Sequence, residues 1–274
     1  MDYGPNILEE FAKLYAYDLT ISVFGQEAEL YAQDFTISQQ LVDRYNLTIS
    51  PYTDLIKDKH CLDIGAGTGM WAVLLLMAGA KSVTCIEPKR FMSDGINAFA
   101  QKHKLNLVCH CTTHLGVLER DEVYDTVFVI DAGCNLYNFA PHYIGQLRNL
   151  TNHLIIVEKH IKLQDGHLQV ERHRSVDHRS GLGFGPWETV FDSNQDSISN
   201  YDDSLQGRYL IMRMTREYYK HVFWELNYQA LAFNENTMPM LAADEGMWSY
   251  AVETVQLEPN RLTFQEKYRT LYKQ

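Results

Sequence analysis

Eleven consecutive residues constrain the fold more firmly than any other stretch of the chain: Cys61-Leu62-Asp63-Ile64-Gly65-Ala66-Gly67-Thr68-Gly69-Met70-Trp71. An apolar run ends in an acid, three alternate glycines follow, and a second apolar segment starts at once. That order predicts a strand, a tight turn and a helix, the opening of a βα unit. Alternate glycines permit left-handed backbone angles and, lacking Cβ, let a ligand come close to the main chain. The N–H groups at the start of the following helix are then open to an anionic group.

The rest of the chain repeats the pattern. Short apolar runs at His60–Ile64, Ser82–Ile86, Leu105–Cys111, Tyr124–Ile130 and His153–Lys159 predict strands, with helix-like segments beginning near Gly69, Phe91 and Tyr137. Near-continuous apolar runs such as Thr126-Val127-Phe128-Val129-Ile130 suit parallel strands covered on both faces. An open α/β sheet is expected. Residues 1–58 show helical spacing instead, in Ile7-Leu8-Phe11-Leu14-Tyr15 and in Phe35–Tyr45, and read as a helical cap rich in aromatics: Tyr15, Tyr17, Phe24, Tyr31, Phe35 and Tyr45. Most of these are expected in the core.

After residue 160 the pattern gives way to polar, loop-like sequence that includes Gly181-Leu182-Gly183-Phe184-Gly185-Pro186 and Ser193–Ser204. Order returns with Tyr209–Met212, then a helix from Thr215, a plausible N-cap, through Leu226, then strands at Tyr228–Phe233 and Trp248–Val255. The expected organisation is a cap (1–58) followed by one domain (59–274) carrying an insertion at 161–208, a length typical of lids and recognition elements.

The glycine spacing discriminates among nucleotide folds. A dinucleotide fingerprint places its third glycine one residue later, and a phosphate-binding P-loop needs Gly-Lys followed by Ser or Thr. With its acid two residues before the first glycine, Asp63-Ile64-Gly65-Ala66-Gly67-Thr68-Gly69 resembles motif I of the class I S-adenosylmethionine-dependent methyltransferases. The second strand, Val83-Thr84-Cys85-Ile86-Glu87-Pro88, ends in an acid 22 residues after Gly65, where that family places the carboxylate that accepts both ribose hydroxyls. An ionised carboxyl group suits two hydroxyl donors because it offers two acceptor oxygens.

The resemblance covers residues 59–160 and, in outline, 209–256. It implies a Rossmann-like, seven-stranded, mostly parallel sheet whose last strand is antiparallel. It also implies S-adenosyl-L-methionine as cofactor, with S-adenosyl-L-homocysteine as product. By the same resemblance Asp63 sits near the methionine amino group, the turn Gly65-Ala66-Gly67-Thr68-Gly69 packs under methionine and ribose, and Glu87, followed by Pro88, binds the ribose. The acid many members use against the adenine amino group is missing after the third strand, where Cys111-Thr112-Thr113-His114 stands, so Thr113 or a backbone carbonyl takes its place. No Asn-Pro-Pro-Tyr follows the fourth strand, which tells against adenine methylation in DNA.

Four residues near the ends of strands four and five are candidates for the chemistry: Asp131 as cofactor ligand, base or helix cap, Asn135 and Tyr137 for orienting a substrate, and His160. His142 lies close by, and for both histidines a surface or packing role is the first reading and a ligand role the second. In the insertion, Glu171-Arg172-His173-Arg174 and Asp177-His178-Arg179 read first as a solvated charge mixture and second as guanidinium forks for a carboxylate or phosphate. His173 and His178 have no cysteine nearby, and no metal site is expected.

Charge bears on the acceptor. The chain has 274 residues, 35 acidic against 24 basic, for a formal charge of -11. Residues 61–160, which hold the glycine motif, are close to balanced with 9 acids and 8 bases, so the surplus lies outside them. That argues against a large polyanion and favours a small-molecule acceptor with an O, N or C nucleophile. The alternatives are an RNA base modifier, because Arg208–Tyr228 has a limited resemblance to the wobble-uridine tRNA carboxymethyltransferase arrangement, and a non-catalytic S-adenosylmethionine-binding module.

Cys61, Cys85, Cys109, Cys111 and Cys134 form no C-x-x-C pair and read as buried thiols of a reducing compartment, with Cys109 and Cys111 on one strand face. No export signal or bilayer-length apolar run is present in the sequence, so a cytoplasmic protein is expected.

Overall fold

A computed structural model describes residues 4–33, 35–112, 116–118, 120, 122–130, 140–161, 168–174, 208–214, 222–224, 226, 228–236 and 245–254. The amino-terminal part is helical: α1 (Gly4–Phe11) and α2 (Tyr17–Phe24) join through a π-helical turn at Ala12–Ala16, and α3 (Glu29–Gln33), α4 (Gln39–Thr48) and α5 (Thr53–Ile56) follow. Gly25, at φ 79°, ends α2 and donates its N–H to Ile21 O at 2.8 Å. Helix α4 starts later than the periodicity suggests because Ser38 caps it, its hydroxyl accepting from Leu41 N–H at 3.2 Å.

The α/β part then runs β1 (His60–Ile64), α6 (Met70–Met77), β2 (Ser82–Ile86), α7 (Arg90–His103), β3 (Leu107–His110), β4 (Tyr124–Ile130), α8 (Ala140–Leu147) and β5 (Thr151–Ile161). A two-stranded ribbon, β6 (Leu168–Arg174) and β7 (Arg208–Met214), precedes the closing hairpin of β8 (Tyr228–Asn236) and β9 (Glu245–Thr254). Seven strands form one sheet in the order β3-β2-β1-β4-β5-β9-β8. Strands β1 to β5 are mutually parallel, and β9 is antiparallel to both its neighbours, β5 and β8. The Rossmann-like α/β sheet with an antiparallel last strand is therefore the fold of this chain.

Alternation along the strands supplies two cores, one per face. Cys61, Phe128, Ile130, Ile155 and Val157 face a cluster shared with α6, α7 and the cap, in which Leu8, Phe11, Leu19, Tyr45 and Phe99 are buried. Leu62, Val127, Val129, Leu154 and Ile156 face the other cluster, closed by Ile144, Leu147, Phe223 and Leu226. The cap is thus continuous with the core of the sheet. Of its aromatics, Tyr45 is buried, Tyr15, Phe24 and Phe35 pack against that core, and Tyr17 is 39% exposed with its hydroxyl donating to Glu29 Oε1 at 3.1 Å.

Cap and sheet meet most closely where α2 crosses α7. A Cβ on Gly95 would stand 2.5 Å from Ser22 O and 2.6 Å from Val23 Cα, so the two helix backbones touch there without a side chain between them. Beside this contact Asp18 accepts from Lys102 Nζ and faces His103 Nε2, each at 2.8 Å. The Lys102 ammonium holds the Asp18 carboxyl below the usual range against the opposing effect of burial.

Two expectations need correction. Residues 168–174, read as loop, form a strand: the segment alternates only partly in polarity, and its pairing with β7 across a long sequence gap decides its state. Cys111 lies beyond the end of β3 and is exposed, so it does not share a buried face with Cys109. Its thiol donates to Pro88 O at 3.6 Å. Cys61, Cys85 and Cys109 are buried as expected, whereas Cys134 lies outside the described residues. Most of the 215–226 helix also lies outside them. Val222, Phe223 and Trp224 are helical, and Val222 and Leu226 are buried on the same cluster.

Candidate functional site

The glycine turn joins β1 to α6 at the carboxyl end of the sheet, the side where open sheets bind ligands. Gly65 and Ala66 both donate their N–H to Ile86 O, at 2.9 and 3.0 Å, which pins the turn to the end of β2. Gly69 N–H closes the turn on Ala66 O at 2.9 Å, and Gly69 O accepts from Val73 N–H as α6 begins. The three glycines have φ of 82°, 55° and 82°, angles that residues with a Cβ rarely adopt.

Two of them do different work. A Cβ on Gly67 would meet none of the described residues within 4 Å, so among them that face of the turn is open. A Cβ on Gly69 would lie 2.8 Å from Ile96 Cγ1, so this glycine lets α6 and α7 pack together. Ala66 and Thr68, which alternate with the three glycines, are buried.

Glu87 follows directly on β2, 6% exposed. Its Oε2 accepts from Gly67 N–H at 2.9 Å and its Oε1 from Lys89 N–H at 3.0 Å. Each carboxylate oxygen offers two lone-pair directions, so one on each oxygen is left after these bonds. Burial raises the Glu87 carboxyl above its ordinary range, opposed by the Lys89 N–H and charge and by Gly67 N–H. Its own N–H donates to His110 O at 3.2 Å, tying the ends of β2 and β3 together.

Asp63 is the least satisfied group of the site. It is 1% exposed, and among the described residues its Oδ2 has no hydrogen-bond partner. Burial, reinforced by the negative charge of Glu87, pushes its carboxyl up to about 7. A buried carboxylate in this state favours a cation or donor beside it.

Arg44 is a neighbour that the sequence reading missed. It is 3% exposed, and its guanidinium stands 5.3 Å from the ring centroid of Trp71, two residues past the last glycine of the turn. The signal was available in α4, where Leu41, Arg44, Tyr45 and Thr48 share a buried stripe at helical spacing with an arginine among them.

The structure thus brings Asp63, Gly65, Ala66, Gly67, Thr68, Gly69, Glu87 and Pro88 together at the carboxyl end of β1 and β2. Thr113, Asp131, Asn135 and Tyr137 lie outside the described residues. His160 belongs to the part of β5 that extends past β4: Val157 is the last residue paired with β4, while Glu158–Ile161 pair with β9 alone. His142 lies in the first turn of α8.

No protein-family model and no curated protein matches the sequence. Solved structures do match the fold. The N-terminal domain of EvdMO1, crystallised with S-adenosylhomocysteine, superposes with a TM-score of 0.54 at 11% identity, over 84% of this chain and 86% of that one. The magnesium protoporphyrin IX methyltransferase ChlM from Synechocystis PCC 6803, also with S-adenosylhomocysteine bound, gives 0.51 at 14% identity, over 91% and 99%. The chain therefore shares its fold with these two proteins, both solved with S-adenosylhomocysteine bound.

Proposed function

We propose that this protein is an S-adenosylmethionine-dependent methyltransferase of the cytoplasm that acts on an O, N or C nucleophile of a small-molecule acceptor. The observation that carries this reading is the pair of buried carboxylates around the glycine turn, one of them with an oxygen lacking a partner among the described residues. Bound at that turn, S-adenosylmethionine supplies a methyl group already activated by its sulfonium charge.

The chain's own residues then bind and orient. Asp63 accepts from the methionine ammonium, which satisfies its orphan oxygen and draws it into the ionised form. Glu87 uses its remaining lone pairs for the ribose hydroxyls, with Pro88 fixing the chain beyond it. Gly65 and Gly67 keep side chains out of the ligand's way, and Ala66, Thr68 and Gly69 hold the turn. Thr113 takes the adenine side. Asp131, Asn135, Tyr137 and His160 hold the acceptor and receive its proton where one must leave, since a prealigned donor and nucleophile need little else. Cap and insertion wall the acceptor in.

Calorimetry with S-adenosylhomocysteine tests the cofactor assignment. Glu87→Ala removes two hydroxyl hydrogen bonds to a charged acceptor and is expected to weaken binding by roughly a hundredfold or more, with Glu87→Gln intermediate. Equal affinity in wild type and both variants refutes the assignment. Incubation of the protein with a labelled methyl donor and a metabolite extract then tests turnover, and binding without any labelled product would instead indicate a non-catalytic module.

A further inference from the structure

The β6–β7 ribbon sorts its residues in a way the linear sequence hides. In an antiparallel pair, alternate residues and their directly opposed partners share one face. One face of this ribbon holds Gln169, Glu171 and His173 with Arg213, Ile211 and Tyr209. Glu171 and Arg213 are diagonal neighbours there, so the face is nearly balanced in charge.

The other face is divided along its length. Its half nearer β5 in the chain is apolar, with Leu168 and Val170 opposed to Met214 and Met212. Leu210 is next, opposed to Arg172, and beyond it Arg174 is directly opposed to Arg208. Three arginines hold register positions at this end, and none of the ribbon's residues on that face is an acid. Like charges directly opposed across a ribbon are destabilising, so the arrangement costs stability unless an anion occupies it. In a chain of net charge -11, a ribbon face with three arginines and no acid stands out. Six residues separate Ile161 from Leu168, so the apolar half lies closer along the chain to the carboxyl end of β5.

We infer that this face of the ribbon binds an amphiphilic small molecule, an apolar body carrying phosphate or carboxylate oxygens, with the oxygens at Arg172, Arg174 and Arg208 and the body along the apolar half. Planar guanidinium forks match such oxyanions, and an apolar stretch followed by a cationic one gives the ligand a direction. That this molecule is the methyl acceptor rests on the proposed function. Arg208 enters through register alone, because it lies 34 residues from Arg174 in sequence.

Octyl phosphate, octanoate and inorganic phosphate are the probes, titrated calorimetrically into the full-length protein. Octyl phosphate or octanoate is expected to bind more tightly than inorganic phosphate, and the tighter of the two identifies the oxyanion. Replacing both opposed arginines (Arg174→Gln with Arg208→Gln) is expected to weaken binding roughly tenfold or more, and Arg213→Gln on the other face to leave it unchanged. Arg208→Glu turns the like-charged pair into an opposite-charged one and is expected to raise the melting temperature while abolishing binding. No binding to wild type, or equal binding to the double variant, overturns the inference. So does a single-stranded RNA 20-mer that binds more tightly than either alkyl probe and is lost with the same variants, since the face would then be a nucleic-acid surface. S-adenosylhomocysteine affinity, measured in parallel, is expected to be the same in all variants, so loss of the anion site and failure of the cofactor reading give separate signals.

Discussion

Affinity for S-adenosylhomocysteine is expected to rise roughly fiftyfold between about pH 5 and pH 7.5 in the wild-type protein and to stay flat in Asp63→Asn. The reason is the buried carboxyl at the end of β1, pushed up to about 7 by desolvation and by the neighbouring Glu87 charge. The free protein holds a proton on Asp63 below that pH, and an ammonium group binds well only to the ionised form. Each pH unit below 7 therefore costs up to about tenfold in affinity until the carboxyl of the bound state itself takes up a proton. Proton release on binding near pH 6.5, read as a buffer-dependent calorimetric heat, is the direct signature. A pH-independent affinity would detach Asp63 from the ligand.

The same group sets a trend in stability with the opposite sense. Its folded pKa is raised above the unfolded value, so between about pH 4 and pH 7 the native state binds the extra proton, and stability falls as pH rises through that window. Above pH 7 the loss is complete. Asp63→Asn is expected to melt at the same temperature as wild type near pH 4 and at a higher one at pH 8, while binding ligand more weakly there. A residue that stabilises the protein when neutralised and serves the ligand when charged is what a preformed cation site requires.

The second large effect concerns the cap. Gly95→Leu forces a side chain into a gap where even a Cβ would lie 2.5 Å from the Ser22 carbonyl oxygen. Overpacking of this kind costs about 1–3 kcal/mol for a modest insertion and more for a full side chain, beyond the roughly 1 kcal/mol that replacing a helical glycine returns. The melting temperature is expected to drop by about 5–10 °C, with faster amide exchange in α1 and α2 than in β1 or β4. Gly145→Ala in α8 is the control, since its Cβ would meet only the flexible Leu226 side chain, at 3.3 Å. An unchanged melting curve for Gly95→Leu would contradict the close approach of α2 and α7.

What the sequence disclosed and what it withheld divide along a physical line. Tyr124–Ile130 was readable to the residue because its stretch Thr126–Ile130 is buried on both faces and is therefore nearly continuous in apolar residues. The ends of β3 were not: Leu105 N–H bonds back to Ala100 O at the close of α7, so an apolar residue there belongs to the helix stop. Strand β5 runs two residues earlier and two later than its apolar run, because Thr151 pairs with Tyr124 of β4 and His160 and Ile161 pair with β9, and such pairing carries no local signature. The same division holds at the site. Asp63, the glycines and Glu87 follow from one loop and one strand end, whereas Arg44 reaches Trp71 through a helix packed from elsewhere in the chain.

The strand order also has a consequence for synthesis. Strand β9 lies between β5 and β8, with Ile155 paired to Ala251, so an interior position in the sheet is filled by the last of its seven strands to be made. At about 5–20 residues per second, a ribosome needs roughly 5–20 s to travel from β5 to β9. For that interval the nascent chain has an apolar, unpaired β5 edge, the kind of surface on which chains stick to one another. Co-translational assembly can complete β1 to β5 and the cap early, but closure of the sheet waits for translation to pass Thr254. Chaperone dependence and aggregation on overexpression are expected to track that interval, and slower elongation between β5 and β9 would lengthen it.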